Sequence, residues 1–102
     1  MDDWRLVVRF EWDPAKARSN LVKHGVSFDA AMAVWDDPLH VIVPDRIEAG
    51  EQRRHVLGMV GAVTILVVVH TYPDPDDDLV IRIIGARRAT THERKRYEQD
   101  GA

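Results

Sequence analysis

The sequence predicts an α+β fold in the order β-α-α-β-β-β-β-α, with a mainly antiparallel sheet, an αα-hairpin on one face and a C-terminal helix. Three observations predict it. Apolar residues alternate in some stretches and recur every three or four positions in others. Proline, glycine and short polar residues punctuate the boundaries between those stretches. Ile65 to Val69 is apolar at every position, the pattern of a central strand covered on both faces.

Each element follows from local chemistry. Trp4, Leu6, Val8, Phe10 and Trp12 alternate with Arg5, Val7, Arg9 and Glu11, which predicts a half-buried strand. Asp13-Pro14 starts a helix, because aspartate caps free N–H groups and proline has no N–H to leave unpaired at the first position. That helix runs to Lys23 or His24, and Gly25 can take the left-handed conformation that ends it. Ser27 caps a second helix whose Phe28, Ala31, Met32 and Trp35 share one face, and Asp36-Asp37-Pro38 stops it. The two short helices form an αα-hairpin.

Strands dominate next. Leu39 to Val43 reads as a short strand ended by Pro44, and Asp45 to Gly50 as a polar loop. Arg53 to Met59 and Val63 to Tyr72 form a hairpin around Val60-Gly61-Ala62. Pro73 to Asp78 is an acidic turn, and Leu79 to Gly85 the last strand. Thr90 and Glu93 make a capping box, so a final helix begins near Thr91 and frays before Gly101. The αα-hairpin should cover one face of the sheet and the last helix part of the other, which leaves the less covered face for function.

Composition narrows the classes. The 102 residues are read as a single domain, 1–102, with 45% hydrophobic and 30% charged residues. Without cysteine there is no disulfide framework and no thiolate ligand or nucleophile. The acidic start and the short apolar run Val63 to Val69 predict a cytoplasmic protein with no membrane contact. His24, His40, His55, His70 and His92 show no metal-ligand spacing, and His92-Glu93 is not completed by a histidine at Arg96. Asp74, Asp76 and Asp78 imitate the start of a calcium loop, but Leu79 stands at its glycine position and Gly85 at its glutamate position. No metal and no cofactor are expected, and no glycine-rich loop invites a nucleoside triphosphate.

Charge is uneven. The net charge is -3, yet Arg82, Arg87, Arg88, Arg94, Lys95 and Arg96 face only Glu93 between residues 82 and 96, a local +5. This points to a localised anionic partner, set against an ordinary solvated helix. Arg82 is the lone charge among Val80, Ile81, Ile83 and Ile84, and a charge there must reach water or a partner. Glu51, Arg53 and His55 alternate onto one face of their strand, and Arg87 follows the last strand. These groups can converge as an RNA-cleaving site, or form structural ion pairs such as Glu51–Arg82. Cleavage through the ribose 2′-hydroxyl needs a base, cations on the phosphorane and a proton source for the 5′ oxygen. Arg53, Arg82 and Arg87 suit the cation role, Glu51 or His55 the proton transfers. Tyr97 can donate or stack on a base. Lys23 sits either beside the phosphate or, with His24, at a helix C-terminus that favours cations.

Phe10-Glu11-Trp12-Asp13 with Lys16, Asn20-Leu21 and Lys23-His24-Gly25-Val26 resembles the N-terminal signature of the BrnT-type toxins. Gly50-Glu51-Gln52-Arg53 with Gly58 is similar to their middle motif. The run Ile81 to Thr90, with Glu93-Arg94 and Tyr97, is similar to their C-terminal motif. The resemblance covers about Arg9 to Glu98 and implies a RelE-like fold. It further implies a metal-independent endoribonuclease that inhibits translation. A BrnA-like ribbon–helix–helix antitoxin would neutralise it, and operator DNA would be met only through that complex. Catalysis is then expected from Arg53, Arg82, Arg87, Glu51 and His55, and RNA binding from Lys23, Arg88, Arg94 and Tyr97. The antitoxin is expected over Arg82, Arg87 and the last helix. Gly85 stands where the family pattern has serine, and Arg54 where it has an aromatic or apolar residue. These departures motivate the alternative of a non-catalytic, antitoxin-binding module.

Overall fold

A computed structural model describes residues 7–101. Five strands form one sheet: β1 (Arg9–Glu11), β2 (Val41–Glu48), β3 (Glu51–Val60), β4 (Thr64–Thr71) and β5 (Val80–Arg88). Their order across the sheet is β1-β5-β4-β3-β2. β1 runs parallel to β5, and every other pair is antiparallel. Helix α1 (Pro14–His24) and the short α2 (Phe28–Ala31) pack on one face, and α3 (Thr91–Gly101) lies against the other.

The caps behave as their chemistry requires. Asp13 accepts the Ala15 N–H at 2.8 Å, and Gly25 closes α1 at φ 70°. Ser27 accepts the Ala30 N–H at 3.0 Å. Thr90 and Glu93 exchange hydrogen bonds at 3.2 and 2.9 Å, the reciprocal pattern expected of a capping box.

β4 is the middle strand. Its Leu66 and Val68 join Phe28, Ala31, Val34 and Trp35 under the helix pair, while Ile65 and Val67 join Leu57 and Tyr97 under α3. A strand with both faces covered has no polar side to show, which is why its centre reads as continuously apolar.

Five expectations need correction. The first strand pairs only over Arg9–Glu11; Trp4 lies outside the described residues, and Trp12 instead packs edge-on against Phe28, 5.8 Å between ring centroids. The second helix does not continue as α-helix but tightens into a 3-10 turn over Met32–Asp36. Pro44 does not end β2, which continues to Glu48. β2 is an edge strand, where a missing N–H is tolerated, and its register slips between Pro44 and Ile47. The anticipated polar loop shrinks to Ala49-Gly50, both at positive φ, 50° and 80°. The last strand runs on to Arg88, past a register shift opposite Val69 and His70.

The 3-10 turn sits close over β3. A Cβ on Gly58 would lie 2.7 Å from Val34 Cγ1 and 2.9 Å from the Val34 carbonyl oxygen, so only glycine permits this approach. Among the described residues, no helix is long and apolar enough to cross a membrane.

Candidate active site

The sheet delivers one row of polar side chains. Glu11 on β1 pairs in register with Arg82 on β5, and Arg82 with Thr71 on β4. On β3, Arg54 pairs with His70, which sets Arg53 one step along, level with Thr71. Directly paired residues on neighbouring strands share a face. Arg53 therefore stands on the face of His55 and Leu57, the side on which α3 packs farther along the sheet.

Charges in this row are interleaved. Arg82 binds Glu11 at 2.9 Å and lies 3.5 Å from Glu51. Arg53 binds Glu48 at 2.8 Å, and Glu48 also holds Arg46 at 3.1 Å. His55 Nε2 lies 3.3 Å from Asp45. These pairs are partly exposed, so each adds little to stability and can exchange partners.

Between them lies a cleft of about 150 Å³, lined by Lys16, Glu48, Glu51, Arg53, Thr71 and Arg82. Thr71 is buried, and its hydroxyl has no hydrogen-bond partner among the described residues. A buried hydroxyl left unpaired costs about 1–3 kcal/mol unless a water or ligand meets it. Three cations and a free hydroxyl around a small cleft are groups that can donate to an oxyanion. The adjoining carboxylates would hold the arginine forks apart until one arrives.

The structure thus brings Glu51, Arg53 and Arg82 together, with His55 two residues along β3. It does not bring the others there. Arg87 lies five positions along β5 from Arg82, about 16 Å, and the expectation that it joins the site is corrected. Its guanidinium is held by Glu93 in a two-pronged pair, at 2.7 and 2.9 Å. Tyr97 is corrected likewise: it is buried, and its hydroxyl donates to Asp37. Its position in the core leaves no ring face for a nucleobase. Lys23 lies at the far end of α1, about 10 Å along the axis from Lys16. Arg88 and Arg94 share a shallow recess beside Val63 and Thr64, at the opposite end of the sheet.

Lys16, Thr71, Glu48 and Glu11 were not singled out as site residues from the sequence. Lys16 stood only in a family signature, and a lone threonine in an apolar strand carries no signal of its own. The +5 segment is also less basic than it reads, because Arg82 and Arg96 carry acidic partners from outside it, Glu11 and Asp100.

The two departures from the family pattern become concrete. A Cβ at Gly85 would meet only Asn20 Oδ1 at 3.7 Å, so a side chain fits there. Arg54 sits with its guanidinium carbon 5.0 Å from the centre of the Tyr72 ring.

Fold and site together define a small α+β protein with a row of interleaved cations and carboxylates on one sheet face. Residues 12–93 match the ribonuclease toxin, BrnT, of type II toxin–antitoxin systems, and the chain belongs to that family. It is a ribonuclease toxin, with RNA as substrate and an antitoxin as partner. The crystal structure of the Brucella abortus ribonuclease toxin, BrnT, has the same fold, with a TM-score of 0.58 at 20% identity. That match covers 82% of this chain and 99% of the other. No curated protein matches the chain.

Proposed function

We propose that the cleft of Lys16, Glu51, Arg53, Thr71 and Arg82 is the phosphodiester-cleaving centre, working without a metal ion. The observation that carries this reading is the convergence of three cations and an unpartnered buried hydroxyl on one small cleft beside a carboxylate. The scissile phosphate enters between Arg53 and Arg82, whose planar forks match its oxygens, and Thr71 donates to a third position. Glu51, freed from Arg82, accepts the proton of the 2′-hydroxyl as O2′ attacks phosphorus. The P–O5′ bond breaks, and Lys16 supplies the proton that the 5′ oxygen takes. A 2′,3′-cyclic phosphate and a 5′-hydroxyl are left. His55, oriented by Asp45, is the second candidate for a proton transfer. Arginine itself is a poor donor, because it keeps its proton at any working pH.

The toxin acts in the cytoplasm, where cutting RNA stops translation. A BrnA-like ribbon–helix–helix antitoxin covers the same face, with Arg82 and the last helix, Arg94 included, as contacts, and carries the pair to operator DNA. Acidic or apolar antitoxin groups standing in for phosphate would block RNA without unfolding the toxin.

The test is cleavage of an RNA by purified protein in the presence of a chelator, with the product ends identified. Cyclic phosphate ends, lost in Arg82→Ala and Glu51→Gln, are expected. Induced expression without antitoxin should arrest growth, and Arg82→Ala should relieve it. Soluble wild-type protein with unimpaired growth and uncut RNA would mark a non-catalytic, antitoxin-binding module instead.

A further inference from the structure

A second recess, of about 600 Å³, opens where β3 leaves the tight turn after β2. Arg54 and Tyr72 form one wall, Gln52, Asp74 and Asp78 line the rest, and Glu51 lines both this recess and the catalytic cleft. We infer that the recess is a nucleobase subsite for the RNA, seating a base next to the scissile phosphate and preferring guanine. The inference rests on the reading of Glu51, Arg53 and Arg82 as the cleavage centre.

The stacking surface comes first. The Arg54 guanidinium lies 5.0 Å from the Tyr72 ring centre. A guanidinium backed by an aromatic ring presents a flat, weakly hydrated surface on which a base can stack. Arg54 also differs from the other arginines around the site. Arg46, Arg53 and Arg82 each hold a carboxylate, whereas Arg54 makes no ion pair among the described residues. Its partner is a ring, so its role is not to neutralise a neighbouring acid.

The walls then select what can enter. Asp74, Asp78 and Glu51 would repel a phosphate, so this is not a second phosphate pocket. A neutral base with N–H groups on its edge is the part of RNA that fits. Asp74 spends one carboxylate oxygen on the Asp76 N–H at 2.9 Å. Asp78 makes no hydrogen bond among the described residues, which leaves both its oxygens to accept. Guanine alone carries adjacent ring N–H and exocyclic NH₂ donors that one carboxylate can take as a fork. Adenine and cytosine each offer only the amino group on that edge.

Connectivity closes the argument. Arg53 and Arg54 are neighbours in β3 and point to opposite faces. A chain of RNA passing over the β2–β3 turn at Gly50 therefore meets the cleft on one side and the recess on the other.

The experiment reads cutting and binding separately. Wild-type protein is given a randomised RNA pool, and the bases flanking each cut are sequenced. Guanosine, which has no phosphate to engage the cleft, is titrated in parallel with adenosine and cytidine by saturation-transfer NMR. Guanine enrichment beside the cut and selective binding of guanosine are expected. Arg54→Leu and Arg54→Lys should each weaken guanosine binding about tenfold, since lysine keeps the charge but loses the plane. Asp78→Asn should flatten it by removing the forked acceptor. Circular dichroism checks that the variants stay folded. RNA cut without base preference, or guanosine binding and preference unaltered in all three variants, would overturn the subsite. Selective guanosine binding by a protein that cuts no RNA would support the recess and count against the cleavage centre alone.

Discussion

Tyr97 donates its hydroxyl hydrogen to Asp37 at 2.5 Å, joining the last helix to the segment that ends the helix pair. The same carboxylate accepts the Met59 N–H at 2.7 Å and the Leu39 N–H at 2.9 Å. Burial pushes Asp37 up, but the donors from Met59, Tyr97 and Leu39, with His40 nearby, hold it below its ordinary value. Burial first, and Asp37 second, push the Tyr97 phenol up to about 12. One side chain thus ties α3, β3 and the 3-10 turn together.

Tyr97→Phe removes only the hydroxyl and should cost about 1–2 kcal/mol in urea unfolding, because a charged acceptor loses a donor. Asp37→Ala should cost about 2–4 kcal/mol, since it leaves both the Met59 N–H and the phenol unpaired. Equal, negligible losses in both would show that the link is ornamental. Because the folded Asp37 titrates below its ordinary value of 3.8, its contribution is present above that pH and fades as pH falls through the lower folded value.

His70 gives a distinct acid dependence. It is fully buried between Trp35 and Tyr72, at 5.0 and 5.5 Å between ring centroids. Burial lowers it from 6.5 to about 4, so the unfolded chain takes up the proton first. The stability of the neutral form is fully present above pH 6.5 and is lost as pH falls towards about 4. The wild type should lose up to about 3 kcal/mol over that window. His70→Leu should flatten the curve there, and an unchanged slope in that variant would assign the effect to other groups.

Gly58 and Gly85 should separate cleanly. Gly58→Ala forces a Cβ against Val34 at 2.7 and 2.9 Å, and should cost about 2–3 kcal/mol by overpacking. Gly85→Ser meets Asn20 at ordinary contact distance, and should change stability by no more than about 0.5 kcal/mol. Thermal melting of both variants against wild type measures the contrast. Gly85→Ser as destabilising as Gly58→Ala would mean that the space beside Asn20 is not there.

Arg87 and Arg82 should part company in a joint measurement of stability and toxicity. The hydrogen bond from Arg87, opposed by burial and helped by Thr90, holds Glu93 down at about 2. The pair's contribution is present above the ordinary 4.5 and is lost as pH falls through about 2. Arg87→Ala should lower stability at neutral pH by about 1–2 kcal/mol, and loosen the start of α3. Arg82→Ala should abolish toxicity while leaving the melting temperature within a few degrees of wild type. Reversed behaviour of the two variants would exchange their roles.

The sequence by itself determined most of the elements, where they were written in local chemistry. Asp13-Pro14, Gly25, Ser27 and the Thr90–Glu93 box place helix ends through bonds within a few residues, and period-2 or continuous apolar runs mark β3, β4 and β5. It also showed that Glu51, Arg53 and His55 share a face, since strand side chains alternate without help from neighbours. Only the tertiary structure decided the register between strands. That register seats Glu11, Arg82, Thr71 and Arg53 in one row and leaves Arg87 with Glu93. It also decided that Pro44 continues a strand, because only the sheet order makes β2 an edge. From the sequence, Tyr97 is an aromatic able to donate or to stack on a base. Its burial depends on Leu57, Ile65 and Val67, which lie on other strands. A pattern along the chain records which face a residue shares with its own element; what stands opposite that face is fixed by packing between elements far apart in sequence.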